Sequence, residues 1–190
     1  PVTRSAIHAD LRTVPTGTSA RVKTTNIWGV VGGNSVFGVP PVRWSVETIL
    51  PLVDEVLVVT SRDDVAVREA LAGLALHFAT NPRPEDGQGT SIASGIAAVP
   101  PGADAALVVL GDQPWLPDGV VPALRDAHRT TGKPIVVPVY RGTQGTPVFF
   151  ARTIFPELAT LTGDAGARPV VQRDAARVAR VPLDIDMPLD

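Results

Sequence analysis

The chain has 190 residues, 44 % of them hydrophobic, and its 17 basic and 19 acidic side chains leave a formal charge of −2. That is apolar material for one well-buried domain over residues 1–190, with no broad attraction to nucleic acid, and no apolar run or leader pattern suggests a membrane or secretion, so a soluble cytoplasmic protein is expected. The absence of cysteine excludes disulfides, thiol catalysis and thiolate zinc sites, and His8, His77 and His128 lack metal-helix spacing, so any metal must be held by oxygen.

Residues 1–25 are rich in Thr, Ser, Pro and Gly, with only a weak strand around Ala6 to Leu11. Within them, Gly17, Thr18 and Ser19 form a turn able to offer backbone N–H groups to phosphate. Arg21 and Lys23 follow closely enough to hold an outgoing pyrophosphate. A plain surface loop has the same composition. From Asn26 to Pro41 the glycines Gly29, Gly32, Gly33 and Gly38 break the apolar pieces, which predicts a loop. Val42, Val46, Ile49, Leu50 and Val53 then fall at helical spacing and predict a one-sided packing helix.

Glu55 to Thr60 (EVLVVT) predicts a strand buried on both faces, and Val67, Ala70, Leu71 and Leu74 predict the helix after it. Leu76 to Thr80 predicts a third strand. The Pro/Gly-rich run from Asn81 to Gly89 must be irregular, and Thr90 and Ser91 are placed to cap a helix over Ile92 to Ala98. Gly87, Gly89, Thr90 and Ser91 also stand where amides and hydroxyls at a helix start could meet a base or ribose.

Ala105 to Leu110 (AALVVL) does not alternate in polarity and predicts a strand inside a parallel sheet. Ligands in such sheets sit outside the carboxyl ends of the strands, where Asp112 follows at once. An ordinary strand-to-helix turn would also put an acid there. Asp118 to His128 predicts another amphipathic helix. Ile135 to Tyr140 contains Pro138, which cannot donate to a ladder, so this strand is expected at an edge or at a bulge. Arg141 to Gly145 is a turn and Pro147 to Phe150 a return strand, a hairpin excursion that makes the sheet mixed. Phe155 to Leu161 and Arg168 to Ala176 predict helices, and Val178 to Leu183 a last strand closed by Asp184 and Asp186. Arg173, Arg177 and Arg180 read as one solvated helix face, and Trp28, Trp44 and Trp115 as packing residues.

Repeated βα units predict a three-layer α/β sandwich. If the strands ending at Asp112 and at Asp184 and Asp186 are neighbours, three carboxylates converge. With phosphate oxygens and water they would make the shell that magnesium prefers.

Taken together, LVVLGDQPWLP, the run from Ile135 to Arg168 and VPLDIDMPLD resemble, in the same order, segments of the MobA-like nucleotidyltransferases, especially the molybdenum cofactor cytidylyltransferase branch, and NPRPEDGQGTSIASGIAAV resembles that branch's nucleotide-side segment. The resemblance covers roughly Glu55 to Asp190. It implies a Rossmann-like nucleotidyltransferase fold, with a mostly parallel sheet, and transfer of CMP from CTP or of another NMP. The implied acceptor is a small phosphorylated compound such as the molybdopterin cofactor, with a molybdoenzyme as client and magnesium, or manganese, as metal. Asp112 and Asp184 would be the metal carboxylates, Asp186 supporting. Members usually carry a Leu-Ala-Ala-Gly-x-Ser-x-Arg-Met-Gly loop followed by lysine. Here PTGTSARV (Pro15 to Val22) keeps Gly17, Ser19 and Arg21 but not the alanines or the second glycine, and neither Asn26-Ile27 nor Asn34-Ser35 supplies the lysine. Thr146 stands where the branch often has histidine. These departures raise two alternatives: a noncatalytic accessory in molybdoenzyme maturation, or an NTP transferase with a sugar-phosphate or phospho-hydroxy-acid acceptor.

Overall fold

Among the described residues, eight strands form one mixed sheet in the order β3-β2-β1-β4-β7-β5-β6, with β8 on the other side of β5. They are β1 (Ile27–Gly32), β2 (Glu55–Thr60), β3 (His77–Thr80), β4 (Ala105–Leu110), β5 (Ile135–Tyr140), β6 (Thr143–Gln144), β7 (Val148–Ala151) and β8 (Val178–Leu183). The computed structural model describes residues 27–32, 40–61, 64–113 and 115–187; Gly17, Thr18, Ser19, Arg21 and Lys23 lie outside the described residues.

β1, β2, β3 and β4 are parallel, β7 is antiparallel to both β4 and β5, and β8 is parallel to β5. The C-terminal ends of β4, β5 and β8 therefore share one edge of the sheet. β4 and β8 are not neighbours, because β7 and β5 stand between them. The Asp112 turn and the Asp184 turn are thus separated by two strands, not side by side.

β1 overturns the expected loop over 26–41. It lies at the centre of the parallel region, with Trp28 in register with Glu55 on one side and Ala106 on the other. Pairing along both edges outweighs the weakness glycine brings to a strand, and β-favouring residues stand on either side of Gly29, Ile27 before it and Val30 and Val31 after it.

Alternate residues of each strand feed two cores. Val56 and Val58 of β2 and Ala105, Leu107 and Val109 of β4 pack with α1 (Pro40–Ile49), α2 (Val65–Ala70) and α4 (Val120–Thr131). Leu57, Val59, Ala106 and Val108 face α3 (Gln88–Ala98), α5 (Phe155–Leu158) and α6 (Arg168–Gln172). Both faces are covered, which is why these strands read as unbroken apolar runs. The result is the expected three-layer Rossmann-like sandwich.

Pro138 sits inside the sheet, not at its edge. Its carbonyl accepts from the Gly145 N–H at 3.2 Å, so its missing donor points toward the same side, where the chain from Gly145 to Pro147 departs from strand pairing between β6 and β7. The bulge alternative holds: pairing of β5 with β6 and β7 is interrupted opposite Pro138, the residue with no N–H to give.

Two readings of side chains change. The three arginines do not share a helix: α6 ends at Gln172, Arg177 lies in a 3-10 turn and Arg180 in β8. Arg173 and Arg177 clamp Glu157 of α5 at 2.8 and 2.5 Å. Trp44 and Trp115 are not packing residues but are 57 % and 60 % exposed, on either side of a shallow groove.

Candidate active site

A cleft of about 210 Å³ opens at the carboxyl end of β4. Val108 and Leu110 of β4, Val148 of β7, Ile92 of α3 and Val171 of α6 give it an apolar floor, and Gln88, Ser91, Gln144, Thr146 and Arg168 bring polar groups to it. An apolar pocket with a few convergent polar groups at this end of an α/β sheet is where a small ligand is expected.

One wall is made by two segments that interlock through glycine. Gly89 N–H donates to the Gly163 carbonyl at 2.8 Å, and Gly163 N–H donates to the Asp86 carbonyl at 2.8 Å. A methyl group on Gly89 would lie 2.8 Å from the carbonyl carbon of Thr162, and one on Gly87 would lie 2.4 Å from that of Gly163. Gly166, at φ +55°, likewise leaves room for the Gln88 amide, whose oxygen would stand 2.5 Å from a Cβ there. These glycines let the start of α3 and the loop over 162–166 approach backbone to backbone.

Thr90 and Ser91 do not cap α3, which begins at Gln88 with Gly87 before it and no side-chain cap. They lie within its first turn and are buried, joined by Asn81, whose side-chain N–H group donates to Thr90 at 2.8 Å and Ser91 at 3.0 Å. The Thr90 hydroxyl meets the Gly87 carbonyl at 2.7 Å, and Asn81 in turn accepts from Arg83 N–H at 2.9 Å. This network fixes the irregular run after β3 and turns Ser91 toward the cleft, while Thr90 faces a smaller pocket behind it. Asn81, at 1 % exposure, carried no separate signal in the sequence beyond its place after a strand.

Asp112 is exposed on the turn after β4, two residues past Leu110 of the cleft wall. The turn is anchored from α1 by the Ser45 hydroxyl, which donates to the Gly111 carbonyl at 3.1 Å. Next to Asp112, Gln113 accepts a hydrogen bond from the Thr146 hydroxyl across the sheet. Tyr140, fully buried, donates to the Thr146 carbonyl at 2.7 Å, and burial pushes its phenol up to about 12, so it stays a donor. Gly145 has no room for a side chain between Tyr140 and Met187, the neighbour of Asp186: a Cβ would lie 2.9 Å from the ring and 3.1 Å from the sulfur. The bulge at Gly145 and Thr146 thus links the Asp112 turn to the acidic turn after β8.

In that acidic turn one guanidinium meets both carboxylates: Arg141 Nη1 stands 2.6 Å from Asp186 and Nε 3.4 Å from Asp184. The two acids are therefore able to converge on a single cation. Among the described residues no group of three or more His, Asp or Glu side chains stands close enough to hold a metal, so Asp112 does not complete a three-carboxylate cluster with this pair. The donor set is oxygen only, which fits a hard divalent cation whose remaining positions are filled by phosphate oxygens and water.

A model of the MobA-like NTP transferase domain matches residues 34–178, most of the chain and all of the cleft described above. The chain belongs to the MobA-like NTP transferase domain family. This MobA-like chain is 35 % identical over 89 residues to the purine catabolism protein PucB of Bacillus subtilis, a stretch covering 46 % of this chain and 42 % of that protein. The match therefore spans less than half the length of the curated relative. Among solved structures, Rv0371c of Mycobacterium tuberculosis H37Rv in complex with manganese is 27 % identical, with a TM-score of 0.71 over 87 % of this chain and 92 % of that one. The 4-diphosphocytidyl-2C-methyl-D-erythritol synthase of Anaerococcus prevotii shares the fold at 13 % identity, with a TM-score of 0.69 over 86 % and 89 % of the two chains. Among the described residues of this MobA-like chain, no helix is long and apolar enough to cross a membrane.

Proposed function

We propose that the chain transfers a nucleotidyl group from an NTP, with CTP as donor, to a small phosphorylated acceptor of the molybdopterin type. The family match supports the reaction class. The observation that carries the reading is the cleft at the carboxyl end of β4, with Asp112 on the turn beyond it and Thr146 of the bulge hydrogen-bonded to Gln113 beside that acid. CTP rests on the resemblance to the cytidylyltransferase branch. A nucleotide donor also suits a cytoplasmic protein.

In this reading an acceptor phosphate oxygen attacks the α-phosphorus in line, a new O–P bond forms, and the bond to the β-phosphate breaks to release pyrophosphate. The acceptor is already a nucleophile, so no protein nucleophile is required. Ser91 keeps its base or ribose role at the start of α3, beside Gln88; Gln144 and Thr146 orient the acceptor through hydrogen bonds, and Arg168 is a cation for its phosphate. Gly17, Thr18, Ser19, Arg21 and Lys23 keep the pyrophosphate role, and Gly87 and Gly89 serve through the backbone they bring close. Asp112 on one turn, and Asp184 and Asp186 on another, would each offer carboxylate oxygens to a divalent cation brought with the phosphates, magnesium or, as in the manganese complex of the Mycobacterium protein, manganese. When bound, such an ion neutralises phosphate charge.

One observation favours a second reading, a noncatalytic accessory in the maturation of a molybdoenzyme client: the family match starts at residue 34, downstream of Gly17 to Lys23. The two are separated by thermal melts with CTP, GTP, ATP and UTP, each with magnesium or manganese, on the native chain and on Asp112→Asn. A ligand at 100 times its dissociation constant stabilises by about 2.7 kcal/mol, roughly 5–10 °C for a domain of this size. A metal-dependent shift with CTP that Asp112→Asn abolishes supports the transferase. No shift with any nucleotide rejects it in favour of the accessory role, and a shift without turnover of molybdopterin turns attention to sugar-phosphate or phospho-hydroxy-acid acceptors.

A further inference from the structure

Building on the nucleotide reading above, we propose that Asn81 is a positioning residue: it commits the Ser91 hydroxyl to donating into the cleft, so that the ligand must present an accepting oxygen or ring nitrogen there.

Asn81 follows β3 and does not line the cleft; it stands behind the wall, buried. Its backbone N–H donates to the Thr60 carbonyl at the end of β2, at 2.7 Å, which fixes where the side chain starts. The neighbours then decide which way its amide points. Arg83 N–H donates to Oδ1 at 2.9 Å, and because a backbone N–H can only donate, the atom it meets is the carbonyl oxygen. The NH2 end therefore faces Thr90 and Ser91, with Nδ2 2.8 and 3.0 Å from their hydroxyl oxygens. Thr90 agrees with this assignment. Its single hydrogen lies between the carbonyls of Gly87 and Arg83, at 2.7 and 2.9 Å, so toward Asn81 its oxygen can only accept.

Ser91 differs from Thr90 in one respect. Its oxygen accepts from Asn81 in the same way, but among the described residues no acceptor takes its hydrogen. The side chain is 9 % exposed and lines the cleft. A buried hydroxyl hydrogen without a partner is costly, and the open direction is the cleft. A base carbonyl, an unprotonated ring nitrogen or a ribose oxygen accepts from it. An N–H edge brought to the same place reaches only the second lone pair of the oxygen and leaves the Ser91 hydrogen unpartnered. A hydroxyl whose direction is fixed in advance therefore discriminates between these edges more sharply than one free to turn.

The test is the binding of CTP with magnesium to the full chain, by isothermal titration calorimetry, for the native protein, Asn81→Asp, Ser91→Ala and the double variant. In Asn81→Asp one carboxylate oxygen still accepts from Arg83 N–H, but the other accepts where the NH2 group donated, so it draws the Ser91 hydrogen away from the cleft. The loss of one hydrogen bond to the ligand predicts binding about three- to tenfold weaker in Asn81→Asp and in Ser91→Ala alike. The double variant should bind no more weakly than Ser91→Ala, because without the hydroxyl the polarity of its partner no longer matters. A second full loss in the double variant means that Asn81 acts on the wall as a whole, and overturns the proposal; so does native-like binding in either single variant. Should Asn81→Asp fail to fold, Asn81→Ala replaces it, with a smaller loss because the freed hydroxyl can still turn to the cleft. The criterion is the same: that loss must vanish once Ser91→Ala is present. A native chain that binds none of CTP, GTP, ATP and UTP overturns the nucleotide reading and this proposal together, whereas native binding left untouched by the variants overturns the proposal alone.

Discussion

Replacing Gly89 with alanine sets two known effects against each other. Gly89 is inside α3, where alanine is favoured over glycine by about 0.8–1.0 kcal/mol, and its φ is not in the left-handed region. Against this, the new methyl would lie 2.8 Å from both the carbonyl carbon and oxygen of Thr162, in contact with backbone that cannot rotate away. Relieving that contact means moving the loop or the helix, and inserting a methyl into a filled space typically costs about 1–3 kcal/mol. The net expectation is destabilisation of about 0–2 kcal/mol, with loss of the 2.8 Å hydrogen bond from Gly89 to Gly163 as the displacement grows. Because Ala165, Gly166 and Arg168 follow that loop and line the cleft, ligand affinity should fall too. Urea denaturation measures the first effect and nucleotide-dependent melting the second. Gly102→Ala is the control: its Cβ would meet open space, so it should be neutral or stabilise by about 0.4–1 kcal/mol through the unfolded chain. A Gly89→Ala protein stabilised as much as Gly102→Ala, with unchanged ligand-dependent melting, would refute the close backbone approach.

Tyr140→Phe removes the hydrogen bond to the Thr146 carbonyl and should cost about 1 kcal/mol in urea denaturation. Since burial raises the phenol from 10.0 to about 12, its stabilising effect is complete below pH 10 and is lost as the pH rises toward 12. The native chain should therefore lose more stability than Tyr140→Phe across that alkaline window. At the acid end, the hydrogen bond from Arg177, then the charges of Arg177 and Arg173, hold the Glu157 carboxyl below the usual glutamate range despite its partial burial. That contribution is complete above the ordinary glutamate value and disappears as the pH falls through the lowered folded one, so Glu157→Gln should flatten the acid limb of a stability profile.

Much of the fold was legible because these strands are buried on both faces. Runs such as Glu55 to Thr60 and Ala105 to Leu110 then differ from everything around them, and the end of the second is marked by the Asp112 turn. β1 was not legible for the converse reason: its glycines look like a loop until two long-range partners are known. Neighbourhood was the other gap. Asp112 and Asp184 both close strands, but only the pairing of β7 and β5 between those strands determines that their turns are not neighbours. The interlock of Gly87 and Gly89 with Gly163 joins distant segments, and composition carries no sign of such a pairing. Thr90 and Ser91 had the right residue types for caps, yet the helix started earlier because Asn81 and the Gly87 carbonyl take their hydroxyls inward.

The position of Thr146 follows from Pro138. A return strand opposite a regular β5 would continue its ladder through residues 145–147, burying Thr146 in strand pairing. Pro138 has no N–H to give on that side, so the ladder closes only through its carbonyl to Gly145, and the chain bulges there before β7 resumes at Val148. The bulge is held by Tyr140 from below and has room against Met187 because residue 145 is glycine. Thr146 is left with its hydroxyl on Gln113 and its edge in the cleft. One residue that cannot donate, one that has no side chain and one buried phenol thus set a link between the Asp112 turn and the bulge beside Met187.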